Sequence, residues 1–416
     1  MKRITLSLIF HMHQPVGNFP EILRAATEKA YKPLLSLMAE HPEIAFALHI
    51  SGPLWEYFDE QYPELFDLIR EMSEQGRLEL LGGGLYEPVL PVIPSRDARE
   101  QLEWMADFLE GEFLQRPQGV WLAERIWEPQ PPSILATSGV IYTAVDDYHF
   151  KSVGLSDAEL FGYYITEHVG KKTGIFPISE KLRYLMPFSP PEETISYLES
   201  CASPSGRRVV VFGDDGEKFG LWPETDRTVW HEGWFRRFIQ LLSENPWIEL
   251  KTPSQVMETV EPLGNIYLPT GSYFEMGEWT LPPKLGRRFQ SIVRELQDNG
   301  KFETWQPFIR GGFWRNFHHK YRESNWMHKR MLFTSRRLHR EVFKMEEAVQ
   351  EDAERALYRA QCNCAYWHGI FGGLYMPHLR RGVWDNLLTT EALLGKPATL
   401  PIVEDIYADG KAEIMI

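Results

Sequence analysis

The chain has 416 residues, with 44 Lys and Arg against 58 Asp and Glu and a formal net charge of −14. That balance repels polyanions, and no basic run offers a local exception, so nucleic acid is excluded as a partner and a neutral substrate fits. Hydrophobic residues at 43% and charged residues at 25% describe a globular chain long enough to bury a large core, and no apolar stretch is long enough to span a membrane.

The first element, MKRITLSLIFHMHQP, has an apolar core running only from Leu6 to Phe10. That is too short for a secretory h-region and no A-x-A site follows, so it is predicted to be a buried strand over 4–10 and the chain to be cytoplasmic. Helical spacing follows over 19–40, then a strand over 45–50 and a helix over 54–75 closed by Gly76. A strand over 78–81 runs into Gly82-Gly83-Gly84, whose simplest reading is a tight strand exit. The series continues with a helix over 96–114, a strand over 120–122 and a helix over 131–138. Strands are expected over 140–145, 174–178, 209–212 and 248–250, with a helix over 230–245 before the last.

Strands alternating with helices imply a parallel sheet. The first strand leads into HMHQP rather than a G-x-G-x-x-G turn, which disfavours a dinucleotide fold and favours a closed barrel with its site at the strand C-termini. Residues 1–262 therefore read as a catalytic barrel. Residues 263–395 read as a helical region packed on it, with helical patterns over 285–299 and 327–394. Residues 396–416 alternate around an Asp409-Gly410 turn signal, as the start of a further β domain.

The cysteines are Cys201, Cys362 and Cys364, an odd and small set that argues against a disulfide framework and fits a reducing compartment. The composition leaves a homodimer open.

The chemistry lies where polar residues end strands. His11 and His13 end the first strand and Glu79 lies in the third, with Glu87 just beyond it. Glu124 and Arg125 end the fourth, Asp146 and Asp147 the fifth, and Asp214, Asp215 and Glu217 the seventh. In a parallel barrel these ends converge on one face, and ionisable groups are expensive to bury there unless paired or functional. In WLAERIWEP the apolar Trp121-Leu122-Ala123 leads directly into Glu124, a candidate carboxylate nucleophile of a retaining glycosidase. The second carboxyl such chemistry needs, about 5 Å away, can come from Asp214 or Asp215. On a strand those two point to opposite faces, and periodicity does not choose between them. The His11-x-His13 spacing serves equally for zinc, as in a metal-dependent deacetylase, and for hydrogen bonds to a sugar. A carbohydrate binder without catalysis would lack Glu124 or Asp215, and both are present. Trp222 and Trp367 are sugar platforms or core residues.

HMHQP, GGGLYEP, WLAERIWEP, VFGDDGEKFG and AQCNCAYWHGIFGG occur in this order and resemble the five conserved regions of glycoside hydrolase family 57. GSYFEMGEWTLPP and KYRESNWMHKRML are similar to its 4-α-glucanotransferase branch, which overlaps with enzymes named α-amylase. The resemblance implies an incomplete (β/α)7 barrel followed by a helical region that completes the site. It implies Glu124 as nucleophile and Asp215 as acid/base, with no metal or other cofactor. His11, His13, Glu79, Trp121, Trp222 and His368 fall on positions that line the donor-side sugar site in relatives, and Asp214 and Trp367 join them as substrate-binding candidates. The implied activity is retaining transfer between α-1,4-glucans or maltooligosaccharides, with hydrolysis as the alternative. Two features depart from the family. Cys364 stands where relatives carry Asp in C-N-D, and a lost charge-assisted bond there costs about 1.5–3 kcal/mol. The C-terminal β-sandwich of relatives is not in this chain, which reads as a fragment or short variant.

Overall fold

The computed structural model describes residues 2–370, 372–395 and 402–415. They divide into two compact units. The first comprises Met1–Gln14, Phe19–Gly83 and Leu102–Tyr273, and the second Pro15–Asn18, Gly84–Gln101 and Phe274–Ile416.

The first unit is built on parallel strands β1 (Ile4–Met12), β2 (Phe46–Ile50), β3 (Leu78–Leu81), β4 (Gly119–Val120), β5 (Tyr142–Asp146), β7 (Lys171–Ile178) and β8 (Val209–Asp215), in the order β3-β2-β1-β8-β7-β5-β4. All nine residues of β1 are buried, which is why ITLSLIFHM reads as an apolar run rather than an alternation. β3 meets β4 through a bridge from Gly82 to Val120, with the Gly82 N–H 2.9 Å from Gly119 O and the Trp121 N–H 2.9 Å from Gly82 O. β7 and β8 pair at Ile178 and Val211. With these two thin seams the ring is nearly closed, an incomplete (β/α)7 barrel. Its interior is packed with Ile9, Ala47, Leu81, Trp121, Tyr142, Phe176, Ile178 and Val211.

Two local features differ from the expectations, and the strand expected over 248–250 is present. β6 (Tyr164–His168) is an additional strand, antiparallel to β7. Its hairpin turns through Val169 and Gly170, both left-handed at φ 45° and 78°. The helix expected over 54–75 is two helices, Gly52–Gln61 and Glu64–Glu74, separated at Pro63. β9 (Ile248–Leu250) pairs with Ile4–Leu6 at the start of β1.

The second unit is mainly helical, with Pro283–Asp298, Arg322–Glu341, Glu347–Ala360 and Pro377–Leu394 as its long helices. The pattern over 327–394 thus resolves into three helices separated by turns. Asp97, with no exposed surface, ties two of them together: it accepts Ser335 Oγ at 2.8 Å and pairs with His339 Nε2 at 2.7 Å, and it also accepts Gln361 Nε2 at 2.5 Å. β10 (Ile402–Glu404) and β11 (Glu413–Met415) form the antiparallel hairpin read around Gly410. Of the expected terminal β segment, 396–401 and 416 lie outside the described residues. Among the described residues no helix is long and apolar enough to cross a membrane, and no disulfide joins the cysteines.

Candidate active site

Register places the site at the carboxyl end of the barrel. His11 is level with His49 on one side and with Asp215 on the other. The Nδ1 atoms of His11 and His49 lie 2.9 Å apart, and His11 stacks on Trp121 at 4.8 Å between centroids and 14° between planes. His13 Nδ1 meets Ser51 Oγ at 2.8 Å, and its ring lies parallel to that of His11 at 6.0 Å. The two rings of the H-x-H pair are therefore stacked, with each Nδ1 engaged by a protein group. Gly83 makes room for this layer, since a Cβ there would sit 2.6 Å from His49 Nε2.

Glu124 is presented by a turn. The chain leaves β4 extended and enters a 3₁₀ turn at Ala123–Arg125, where Glu124 (φ 52°) and Arg125 (φ 50°) are both left-handed. Two such residues in succession cost about 1–3 kcal/mol each, and the surrounding bonds hold them there. Ser272 Oγ donates to the Glu124 carbonyl at 2.6 Å, and Tyr273 OH donates to Glu124 Oε2 at 2.9 Å. Glu124 and Arg125 were expected to end the fourth strand, but they occupy a turn beyond it, and it is Asp146 and Asp214 that pair with Arg125.

Arg125 Nε lies 2.7 Å from Asp146 Oδ2, and its NH1 is 3.9 Å from Asp214 Oδ1. Arg183 lies 2.5 Å from Asp146 Oδ1 and 3.3 Å from Asp214 Oδ2, the oxygen that Lys218 Nζ also approaches at 2.5 Å. Two carboxylates thus face three cations. Burial alone would raise Asp214, but Arg183, Lys218 and Arg125 together hold it well below the usual carboxylate range. Asp214 is 1% exposed. It is a buried anchor, and the expectation that it binds substrate is corrected on that ground. Asp215, the next residue, is half-buried at the end of β8. Its charge acts on Arg125 and Tyr273, and the Glu124 charge acts on Tyr273 as well.

Glu217 supports the same corner. It accepts the His13 backbone N–H at 3.0 Å and the Tyr31 hydroxyl. Burial first, then the Asp215 carboxylate, push it above the ordinary carboxylate range.

The other expected residues are placed as follows. Trp121 is in the stack with His11, 5.5 Å from the Arg125 guanidinium. Trp222 pairs with Phe188 at 5.7 Å, and Lys218 Nζ lies 5.7 Å from its centroid. Glu79 does not reach this layer. It is level with Ala47, two residues before His49, and its carboxylate is taken by Tyr142 OH (2.6 Å), Ser254 N–H (3.0 Å) and Ser254 Oγ (2.8 Å). It closes the barrel floor rather than lining the site. Trp367 and His368 belong to the helical unit. Trp367 Nε1 donates to Asn363 Oδ1 at 2.7 Å, and His368 Nε2 lies 2.8 Å from Tyr321 OH. Sequence reasoning missed His49, Arg183, Lys218 and Tyr273. Only His49 carried a local signal, as the polar residue near the end of a buried strand.

Residues 7–269 match the family described as Glycosyl hydrolase family 57, and residues 312–394 match the region described as Alpha-amylase/4-alpha-glucanotransferase, middle domain. Across its whole length the chain is 45% identical to a 4-alpha-glucanotransferase of Thermococcus litoralis, covering 61% of that protein. It is 44% identical to alpha-amylase 1 of Dictyoglomus thermophilum, covering 60%. It spans about three fifths of these curated relatives. The crystal structure of the Thermococcus litoralis 4-alpha-glucanotransferase matches with a TM-score of 0.93 at 44% identity, over 100% of this chain and 63% of that one. A branching enzyme of Thermococcus kodakaraensis shares the fold at 15% identity and a TM-score of 0.69, covering 94% of this chain and 90% of that one. The family match runs through more than half of the chain and includes His11, Glu124 and Asp215, so the chain belongs to glycosyl hydrolase family 57.

Proposed function

We propose that this protein is a retaining 4-α-glucanotransferase acting on α-1,4-glucans and maltooligosaccharides, with Glu124 as nucleophile and Asp215 as acid/base. One contrast supports the assignment of roles. Of the carboxylates at the barrel's carboxyl end, Asp146 and Asp214 are buried in ion pairs with Arg125, Arg183 and Lys218, whereas Glu124 and Asp215 are half-buried and Glu124 accepts the Tyr273 hydroxyl. A pair of carboxyls is what double displacement requires.

Glu124 attacks the anomeric carbon while Asp215 protonates the departing oxygen, and Asp215 then takes the proton of the incoming hydroxyl. A sugar hydroxyl as acceptor gives transfer and water gives hydrolysis. His11, His13 and Trp121 are proposed to bind the sugar on the donor side. The stacked imidazoles, with each Nδ1 engaged, fit hydrogen bonding to hydroxyls from Nε2 better than convergence on a metal. Trp222, Trp367 and His368 are further substrate-binding candidates.

Transfer is preferred because a 4-alpha-glucanotransferase is 45% identical over the whole of this chain. Hydrolysis is the second reading because relatives of nearly equal identity are named alpha-amylase. Product analysis on maltotriose decides between them. A ladder of longer and shorter oligosaccharides, absent with Glu124→Gln, supports transfer. Glucose and maltose alone make the protein an amylase, and an active Glu124→Gln overturns the nucleophile.

A further inference from the structure

Glu124 is held at both its backbone and its carboxylate by two consecutive residues. Ser272 Oγ donates to the carbonyl at 2.6 Å, and Tyr273 OH donates to Oε2 at 2.9 Å. Their segment is anchored to the turn that carries Glu124, because Gly271 and Trp127 exchange backbone hydrogen bonds of 2.9 and 3.0 Å. The Tyr273 ring is buried and packs against two guanidinium groups, 4.8 Å from Arg125 and 5.8 Å from Arg183. Burial, and then the Glu124 charge, hold the phenol well above its ordinary pKa, so it remains a donor at any working pH.

We infer that Tyr273 is a positioning residue that makes Glu124 a better leaving group in the second half of the double displacement. The inference rests on Glu124 being the nucleophile. In the first step a Glu124 oxygen bonds to C1, and the glycosidic C1–O bond breaks with its electron pair going to the oxygen that Asp215 protonates. In the second step the acceptor hydroxyl gives its proton to Asp215 and its oxygen bonds to C1. The ester C1–O bond then breaks, with its pair returning to Glu124. Negative charge leaves the carboxylate in the first step and returns in the second. A hydrogen bond to Oε2 stabilises the carboxylate anion more than the ester. Tyr273 therefore resists attack slightly and assists departure, and its loss slows the second step selectively.

The test is Tyr273→Phe, which keeps the ring against the guanidinium groups and removes the donor. With an aryl α-maltoside, kcat is expected to fall about 10- to 100-fold. KM should fall with it, leaving kcat/KM within about threefold. Intact-mass spectrometry of acid-quenched enzyme should show a glycosyl adduct accumulating. Ser272→Ala loosens the backbone without touching the carboxylate, so it should lower kcat/KM with no adduct. A fall in kcat for Tyr273→Phe with unchanged KM and no adduct overturns the inference while leaving the nucleophile assignment intact, provided Glu124→Gln is inactive. Turnover by Glu124→Gln at the wild-type rate overturns both.

Discussion

The backbone N–H of Asp215 donates to Oδ1 of Asp214 at 3.0 Å, so the buried member of the Asp-Asp pair holds the half-buried one. Asp214 in turn is gripped through Oδ2 by Lys218 and Arg183. The proposed acid/base is therefore held through its backbone by the charge network around Asp214.

Asp214→Asn removes one of two buried anions that face three cations. Breaking a buried pair by removing one partner costs about 3–5 kcal/mol, and urea denaturation should show a loss of that order. The sign with pH follows from the depressed pKa of Asp214. Its stabilising contribution is complete above about pH 4, the ordinary carboxylate value, and is lost as pH falls through the lower folded value. The gap between wild type and variant should thus be constant from neutral pH to about pH 5 and narrow only in acid. Activity should fall at least about 100-fold as Asp215 loses its anchor. An unchanged kcat/KM in a stably folded Asp214→Asn would show that the anchor does not matter.

Gly83→Ala tests the histidine layer. The new Cβ would lie 2.6 Å from His49 Nε2 and 3.3 Å from the Trp121 carbonyl, so the imidazole must give way. His49 then leaves His11, whose stacking on Trp121 is disturbed. The expected outcome is a rise in KM for maltooligosaccharides of about tenfold, the size of one hydrogen bond to a sugar, with a small change in stability. Affinity measured by calorimetry on the inactive Glu124→Gln background checks it.

The strands were legible because most are apolar runs bounded by turn residues, and the polar residues that end them marked the site. Glu124 stood out in the sequence as a carboxylate at a strand end, but its local backbone is not a strand end. The WLAER segment looks like a strand running out, whereas the structure turns it through two left-handed residues held by Ser272 and Tyr273, some 150 positions later in the sequence. Nothing local announces such a partner. Glu79 was placed with the site because its strand ends there. A single strand does not reveal its depth in the barrel, and two residues at about 3.3 Å each put Glu79 in the floor. The β6–β7 hairpin was missed because Val169 occupies a turn position where the expected signal is Asn or Gly. Nothing local marks Arg183 and Lys218, since the pairing of a charge depends on what the rest of the chain brings to it.

Phe188 and Trp222 form a ring pair with centroids 5.7 Å apart, with Lys218 Nζ 5.1 Å from one and 5.7 Å from the other. Phe188 is 49% exposed and lies against Lys218, three residues after Asp215, a position suited to stacking an incoming sugar. Stacking of this kind is worth about 0.5–1.5 kcal/mol. Phe188→Ala should raise the KM for acceptor sugar about 2- to 10-fold and shift products from transfer towards hydrolysis, with little change in the first step. Chromatography of products at fixed donor and varied acceptor concentration reads both effects. An unchanged ratio of transfer to hydrolysis would remove Phe188 from the acceptor path.

Asp147 carries a stability penalty at neutral pH. Its carboxyl is buried, and burial, only partly opposed by Lys151, raises its pKa from 3.8 to about 6. Because the folded state holds the proton more tightly than the unfolded chain, the group favours folding below about pH 4. That advantage disappears as pH rises through about 6, where the buried charge must be carried. A shift of about two units corresponds to at most about 3 kcal/mol. Asp147→Asn removes the charge but also releases Lys151, which keeps Asp157 at 3.1 Å as its partner. The variant should be more stable than wild type at pH 8 by about 1–3 kcal/mol, and the difference should vanish near pH 4. Urea denaturation at several pH values gives the curve directly. A variant less stable at pH 8 would mean that the Lys151 contact at 3.3 Å outweighs the cost of burying the Asp147 charge.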